Sequence, residues 1–184
     1  MVESAGTEAR FRRLYDDHHR QVLAYFLRRT DRDTAYDCTE DVFLVAWRKL
    51  DEVPTGDAAL PWLYGVSWRV LANCRRKTVH ERELGHLIAS GDTNADSGPE
   101  CQVVRKEEYA ELLAAVAGLS DRDREVLRLA VWEELPHAQI ADVLGCSVNA
   151  VNVRLHRALR RLAKGLRRRR HITGRGRPAF TGGQ

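Results

Sequence analysis

Residues 135–162, LPHAQIADVLGCSVNAVNVRLHRALRRL, carry a helical apolar period on both sides of one glycine, a pattern that few arrangements other than two short helices and a turn can satisfy. Ile140, Val143 and Leu144 mark the first helix, and Gly145 stands where a residue just past a helix end takes positive φ. Ser147 offers a hydroxyl to cap the second helix. There Val148, Val151, Leu155, Ala158 and Leu162 fall three or four apart and predict a buried stripe, leaving Asn149, Asn152, Arg154, His156 and Arg157 outside it. The pattern predicts a helix-turn-helix. Amides and guanidinium groups near the start of such a helix can read base edges and hold phosphates in a major groove. A plain helical hairpin with a solvated basic face would share the spacing.

Charge separates these readings. Asp142 is the last acidic residue, and 11 of the 30 Lys and Arg follow it. The formal charge is therefore −7 up to Asp142 and +11 beyond it. The basic end attracts polyanions with a steep salt dependence, and the acidic remainder suits a basic protein partner.

At 184 residues the chain can hold one medium domain or two small ones. No run approaches the roughly 18 apolar residues of a membrane span, and the N-terminal MVESAGTEARFRRLYDDHH lacks the apolar core of a secretory signal, so a cytoplasmic protein is expected. Cys38, Cys74, Cys101 and Cys146 are scattered singly, without the close pairs of a zinc site. They are expected to be reduced thiols, with Cys38, Cys74 and Cys146 acting as small core hydrophobes and Cys101 lying in a polar segment. Neither a metal nor a cofactor is expected.

Almost every periodic segment is helical, which predicts an all-α fold. Glu8–Leu27 places Phe11, Leu14, Tyr15, His18, Val22 and Phe26 on one face. Asp33–Leu50 does the same with Ala35, Cys38, Val42, Val45, Ala46 and Leu50. Asp51–Leu60 carries Pro54 and Gly56 and reads as a loop, after which Pro61 suits the first turn of a helix running to about Lys77. The segment Ser90–Glu100, SGDTNADSGPE, cannot bury enough surface to offset its chain entropy, so Thr78–Gln102 reads as a linker that is partly helical at its start. Helices are then expected at Val103–Ala117 and at Asp121–Trp132, the latter capped by Ser120 with Asp123 at its third position. The basic end, 167–184, is expected to be disordered. Two small helical domains on a flexible tether result.

Ala59–Lys77 brings Trp62, Tyr64 and Trp68 together with Arg69, Asn73, Arg75, Arg76 and Lys77 on one helical segment. Aromatics at a helix start serve a core equally well. Interleaved with amides and cations they also suit unstacked bases, each worth roughly 1–3 kcal/mol when stacked.

The ordered segments DCTEDVFLVAWRKL, PWLYGVSWRVLANCRR, GLSDRDREVLRLAVWEELPHAQIADVLG and SVNAVNVRLHRALRRL resemble those of bacterial sigma factors of the extracytoplasmic-function (ECF) group, over roughly Phe11–Lys164. The resemblance implies a sigma-2 domain at 8–77, a linker at 78–102, a sigma-4 domain at 103–166 and a basic tail at 167–184. It also implies a dissociable, non-enzymatic subunit that directs core RNA polymerase to promoters and helps to melt them. Asp37, Glu40, Asp41, Phe43 and Trp47 fall on the family's polymerase-binding helix, which docks on a basic clamp coiled coil of the largest subunit; the polymerase flap is the partner implied for the C-terminal domain. A solvated face is the plainer reading of Asp37 and Glu40. Trp62, Tyr64, Trp68, Arg69, Asn73 and Arg76, with the loop before them, match the elements that hold the melted minus 10 strand and a flipped base. Ser147, Asn149, Ala150, Asn152, Val153, Arg154 and Arg157 match the helix that enters the major groove at minus 35. The linker would thread polymerase channels, and many members also bind an anti-sigma protein.

This chain departs from the family pattern in four places. It reads Ser67-Trp68-Arg69 where many relatives read A-R-N, and Glu40 where glutamine is common. It has Ala150-Val151-Asn152-Val153-Arg154 for a common T-V-K-S-R, and Pro136 for a frequent capping serine. Base reading at those positions must differ accordingly. Two rivals share parts of the pattern. One is a helix-turn-helix regulator that binds duplex DNA without engaging polymerase. The other is a recombinase-like enzyme, against which the absence of paired carboxylates or a metal-ligand cluster in the sequence argues.

Overall fold

Side chains that accept otherwise unpaired backbone N–H groups fix where two of the helices begin. The computed structural model describes residues 2–85, 116 and 118–173, with side chains for 6–76, 116 and 118–164; within them lie six α-helices, two 3-10 turns and no strand. In order these are α1 (Val2–Leu27), α2 (Arg32–Arg48), the turns Leu50–Glu52 and Gly56–Ala58, α3 (Ala59–Gly85), α4 (Asp121–Val131), α5 (His137–Leu144) and α6 (Val148–Thr173). The fold is all-α, as the periodicity predicts.

Asp31 caps α2, its carboxylate accepting from Thr34 N at 3.0 Å and from Thr34 Oγ1 at 2.8 Å. The bond from the Thr34 backbone, then that from its hydroxyl, holds the Asp31 carboxyl below the ordinary value of 3.8. Ser120 caps α4 by accepting from Asp123 N at 3.2 Å, as its position in the sequence predicts. Arg124 fastens the turn before α4 by donating to Val116 O at 3.1 Å and to Leu119 O at 2.9 Å.

The chain divides into two compact units, Met1–Gly98 with Ala138–Ser147, and Pro99–His137 with Val148–Gln184. In the first, α1 packs on α2 and α3, and α2 packs on α3. Val22, Tyr25 and Phe26 from α1, Cys38 and Val42 from α2, and Leu63 and Leu71 from α3 are almost fully buried. Each large apolar side chain so buried stabilises the unit by about 1.5–3 kcal/mol. The buried hydroxyls on these helices bond within their own turn, Thr39 to Ala35 O at 2.7 Å and Ser67 to Leu63 O at 2.8 Å. Helix α5 belongs to this unit, and a β-carbon on Gly65 would meet Val143 Cα at 3.8 Å, which is ordinary contact. In the second unit α4 packs on α6, with Leu119, Leu127 and Ala158 buried and Val116, Leu155 and Leu162 against them. Val151 completes the predicted stripe, while Val148 is exposed.

Helix α5 ends as the glycine predicts. Gly145 has φ +60°, its N–H bonds to Asp142 O at 3.3 Å, and the Cys146 N–H reaches back to Ala141 O at 2.9 Å. These paired bonds form a Schellman motif.

Two expectations change. Helix α1 starts at Val2 rather than Glu8, while α3 runs on through the helical start expected of the linker to its last residue, Gly85. Neither extension contains a proline, and a lone Gly6 near the start of α1 costs only about 1 kcal/mol relative to alanine. The basic end expected to be disordered is helical as far as Thr173: Arg167–Arg170 are good helix formers whose cations favour a helix C-terminus, and the next glycine is Gly174. The rest of the linker, the helix expected at Val103–Ala117 apart from Val116, Cys101 and the end beyond Thr173 lie outside the described residues.

Replacing Gly145 by Ala should cost about 1 kcal/mol in urea unfolding, wholly from backbone strain, because no atom lies within 4 Å of the added methyl. Asp31→Ala should cost about 1 kcal/mol at neutral pH. Since the folded carboxyl titrates below its unfolded counterpart, its contribution is complete above pH 3.8 and fades as pH falls below that value, which paired denaturation curves at pH 7 and pH 3 would measure.

Candidate functional site

On α2 the buried positions Ala35, Cys38, Val42 and Ala46 leave Asp37, Glu40, Asp41 and Leu44 exposed on the opposite side. Three carboxylates and an aliphatic side chain that is 52% exposed thus share one surface. Trp47 is also exposed, at 45%, yet its ring stands edge-on to Phe11 at 5.0 Å, so its orientation is set by α1. Phe43 corrects the expectation of a contact residue. It is 4% exposed, 4.7 Å from the Tyr15 ring and edge-on to Phe11 at 6.4 Å, so it supports this surface from beneath. Leu44 is not foreseen from sequence, although its spacing from Asp37, Glu40 and Asp41 follows the same face.

The loop after α2 is held over its first residues. Leu50 and Val53 are buried, Lys49 pairs with Glu52 at 2.9 Å, and Arg10 from α1 donates to Val53 O at 2.8 Å. Gly56 turns the chain with φ +63°. Between this loop and α1 lies a groove of about 860 Å³ whose wall includes Arg10, Arg13, Asp17, His18, Thr55 and Asp57. None of the six residues expected to hold the melted strand lines it. The α1 side of the groove is not foreseen from sequence, since no local pattern links Arg10, Arg13 or His18 to residues some forty positions away. His18 is half-buried, as expected of a packed residue, and its Nδ1 is buried without a hydrogen-bond partner.

At 100° per residue, Trp62, Arg69, Asn73 and Arg76 fall along one side of α3, with Trp68 roughly 120° away and Tyr64 nearly opposite. Arg69, Asn73 and Arg76 are exposed, Trp62 and Trp68 half-buried, and Arg76 donates to Asn73 Oδ1. Tyr64 is a second correction. Only 3% exposed, it stacks on Tyr25 at 5.4 Å and belongs to the core. A second, smaller groove brings Asn73 and Arg76 together with Asp41 and Leu44 of α2.

In the second unit, Asn149, Asn152, Val153 and Arg157 are exposed on α6, on the side away from Val151, Leu155 and Ala158. His156 and Arg160 continue the exposed face. Ser147 is exposed and Ala150 half-buried. Arg154 is half-buried, and its Nη1 lies 3.2 Å from Asp123 Oδ1, a carboxylate with 9% of its side chain exposed. That guanidinium joins α6 to α4, because a carboxylate withdrawn from water needs a cation beside it.

Among the described residues there is no cluster of His, Cys, Asp and Glu able to hold a metal ion, and no helix long and apolar enough to cross a membrane.

Comparison with known proteins matches residues 109–162 to the family model "Sigma-70, region 4". The RNA polymerase sigma factor YlaC of Bacillus subtilis is 30% identical over 160 residues, spanning 85% of this chain and 92% of YlaC. The ECF RNA polymerase sigma factor SigK of Mycolicibacterium vanbaalenii is 28% identical over 169 residues, spanning 89% of this chain and 85% of SigK. Among solved structures, the sigma factor RpoE of Bartonella quintana, crystallised with the anti-sigma factor NepR, superposes with a TM-score of 0.66 at 20% identity, covering 85% of this chain and 96% of RpoE.

The ion pair makes Arg154 and Arg157 separable by experiment. Arg154→Ala should lower stability by about 1–3 kcal/mol in chemical denaturation, by leaving Asp123 buried without its cation, whereas Arg157→Ala should change it by less than about 0.5 kcal/mol.

Proposed function

The chain belongs to the RNA polymerase sigma factors, in their ECF group, and from that premise we propose how its surfaces share the work of directing the polymerase to promoters. The observation that carries this reading is the assignment of charge to helix faces: acid on the outside of α2, amides and cations on the outsides of α3 and α6.

Asp37, Glu40 and Asp41, flanked by Leu44 and Trp47, form the surface for a basic element of core polymerase, the clamp coiled coil of the largest subunit. Carboxylates around exposed apolar side chains suit such a partner, since charge steers the encounter and the apolar groups hold the complex. The groove between α1 and the loop 51–60 is large enough for a nucleobase, and Arg10 and Arg13 on its wall supply cations for the adjoining phosphates. We assign it the flipped base of the minus 10 element. Trp62, Arg69, Asn73 and Arg76 then follow the single strand along α3, with Trp68 beside them.

On α6, Asn149, Asn152, Val153 and Arg157 face the major groove of the minus 35 element. The amides are the base-reading groups, Val153 supplies an apolar contact, and Arg157 holds phosphate or guanine. Arg154 acts by fixing the helix rather than by reading DNA. The working division is 8–77 for polymerase and minus 10 contacts, 78–102 for the connection and 103–166 for minus 35 contacts, with 167–184 as a basic end. Helix α5, although it packs with the first unit, is assigned to the minus 35 module because the match to sigma-70 region 4 over residues 109–162 includes it. The second module engages the polymerase flap.

We place the protein in the cytoplasm, where its polymerase partner works, and give it no catalytic step of its own. An anti-sigma protein is a further partner, as the NepR complex of the Bartonella relative exemplifies. The regulator that never engages polymerase is not retained, because the likeness to sigma factors extends through both units.

Reconstitution with core polymerase tests the division. Asp41→Lys should weaken core binding by about tenfold or more and leave duplex binding unchanged. Asn149→Ala combined with Arg157→Ala should weaken promoter binding and lower the slope of log K against log salt by about 1, with core binding unchanged. Wild-type core affinity in the Asp41→Lys variant would remove α2 as the polymerase contact.

A further inference from the structure

Two cysteines that are 36 positions apart in sequence meet across the α2–α3 interface, where Cys38 Sγ and Cys74 Sγ lie 2.8 Å apart. Neither the polymerase surface nor the DNA-facing residues account for this pairing, and from sequence each thiol is expected to be a separate small hydrophobe. Cys38 is fully buried, but Cys74 is half-buried and lines the groove of about 470 Å³ between α2 and α3, beside Asp41, Val45 and Val70. A small oxidant therefore has a path to one sulfur of the pair and not to the other.

We propose that Cys38 and Cys74 form a reversible oxidation site, closed to a disulfide by peroxide and reopened by thiols, which fastens α2 to α3 without displacing either helix. Sulfurs already 2.8 Å apart need to approach by only about 0.8 Å to reach bonding distance. The Cys74 thiolate attacks a peroxide oxygen, the O–O bond breaks, and Cys74 becomes a sulfenic acid while the peroxide is reduced to hydroxide, or alkoxide from an organic peroxide. Cys38 sulfur then attacks Cys74 sulfur. The S–S bond forms, the S–O bond breaks, and the Cys38 proton leaves with the departing hydroxyl as water. Reduction by a dithiol, through a mixed disulfide, restores both thiols and oxidises the dithiol.

The surroundings assign the order. Burial first, then the hydrogen bond and charge of Cys74, and then the carboxylates of Asp41 and Asp37, push the Cys38 thiol above its ordinary range, so the more accessible Cys74 is the sulfur oxidised first. A reducing cytosol keeps the pair open at rest, and a burst of peroxide closes it. Closing a loop of this length restricts the unfolded chain more than the folded one, so the oxidised first unit is the more heat-resistant form.

The test uses the full chain carrying Cys101→Ser and Cys146→Ser, reduced, exposed to a small excess of hydrogen peroxide, alkylated and mapped by non-reducing peptide mass spectrometry. Expected are a peptide containing Cys38 joined to one containing Cys74, a mass lower by about 2 Da, and loss of the link on treatment with dithiothreitol. The Tm should rise by about 10 °C and return on reduction. In Cys38→Ala the sulfenic acid on Cys74 should persist and react with dimedone. Full alkylation of both thiols after peroxide, in this chain and in the wild type, would overturn the proposal. So would a linked product that melts at a lower temperature, since the bridge would then be displacing the helices. The mapping does not depend on Cys38→Ala folding, nor on the polymerase and promoter assignments.

Discussion

The described outward-facing groups on α2 and α3 are positioned by the aromatic and aliphatic seam that α1 shares with these helices. Tyr25 stacks on Tyr64, Phe11 and Tyr15 pack against Phe43, and Phe11 meets the edge of Trp47. Such pairs contribute about 0.5–1.5 kcal/mol each beyond the area they bury, and unlike aliphatic contacts they fix angle as well as distance. The direction of the acidic face on α2 and the line of Trp62, Arg69, Asn73 and Arg76 on α3 are consequences of that seam. Packing of this kind, rather than helix propensity, supplies most of the stability of such helices.

The second unit solves the same problem with an ion pair. Its apolar contacts are small and aliphatic, Leu119, Leu127 and Ala158 with Val116, Leu155 and Leu162 around them, and such surfaces can slide. Arg154 and Asp123, 3.2 Å apart, supply the directional contact that they lack. Ser120 and Asp123 set the start of α4, so one short segment determines both where that helix begins and how α6 lies on it.

Local chemistry is legible in the sequence and long-range geometry is not. The Ser120 cap, the Gly145 turn and the stripe through Val151, Leu155 and Ala158 depend on neighbours within a turn or two, and the structure has all of them. Phe43 and Tyr64 read as binding residues because an aromatic residue has the same identity whether it faces a partner or a core; only the packing of α1 decides. Arg154 reads as a free cation because Asp123 lies 31 positions away. The α1 wall of the large groove and the meeting of Cys38 with Cys74 are hidden for the same reason, each needing two helices to be placed before it exists.

On α6 the residues that maintain the fold and those that face outward form nearly disjoint sets. Val151, Leu155, Ala158 and Arg154 are committed to the interior, whereas Asn149, Asn152, Val153 and Arg157 bear almost no structural duty. On the proposed assignment, the outer residues of this helix can therefore be exchanged one at a time without unsettling its packing on α4. Target choice and folding stability then rest on separate positions of one helix.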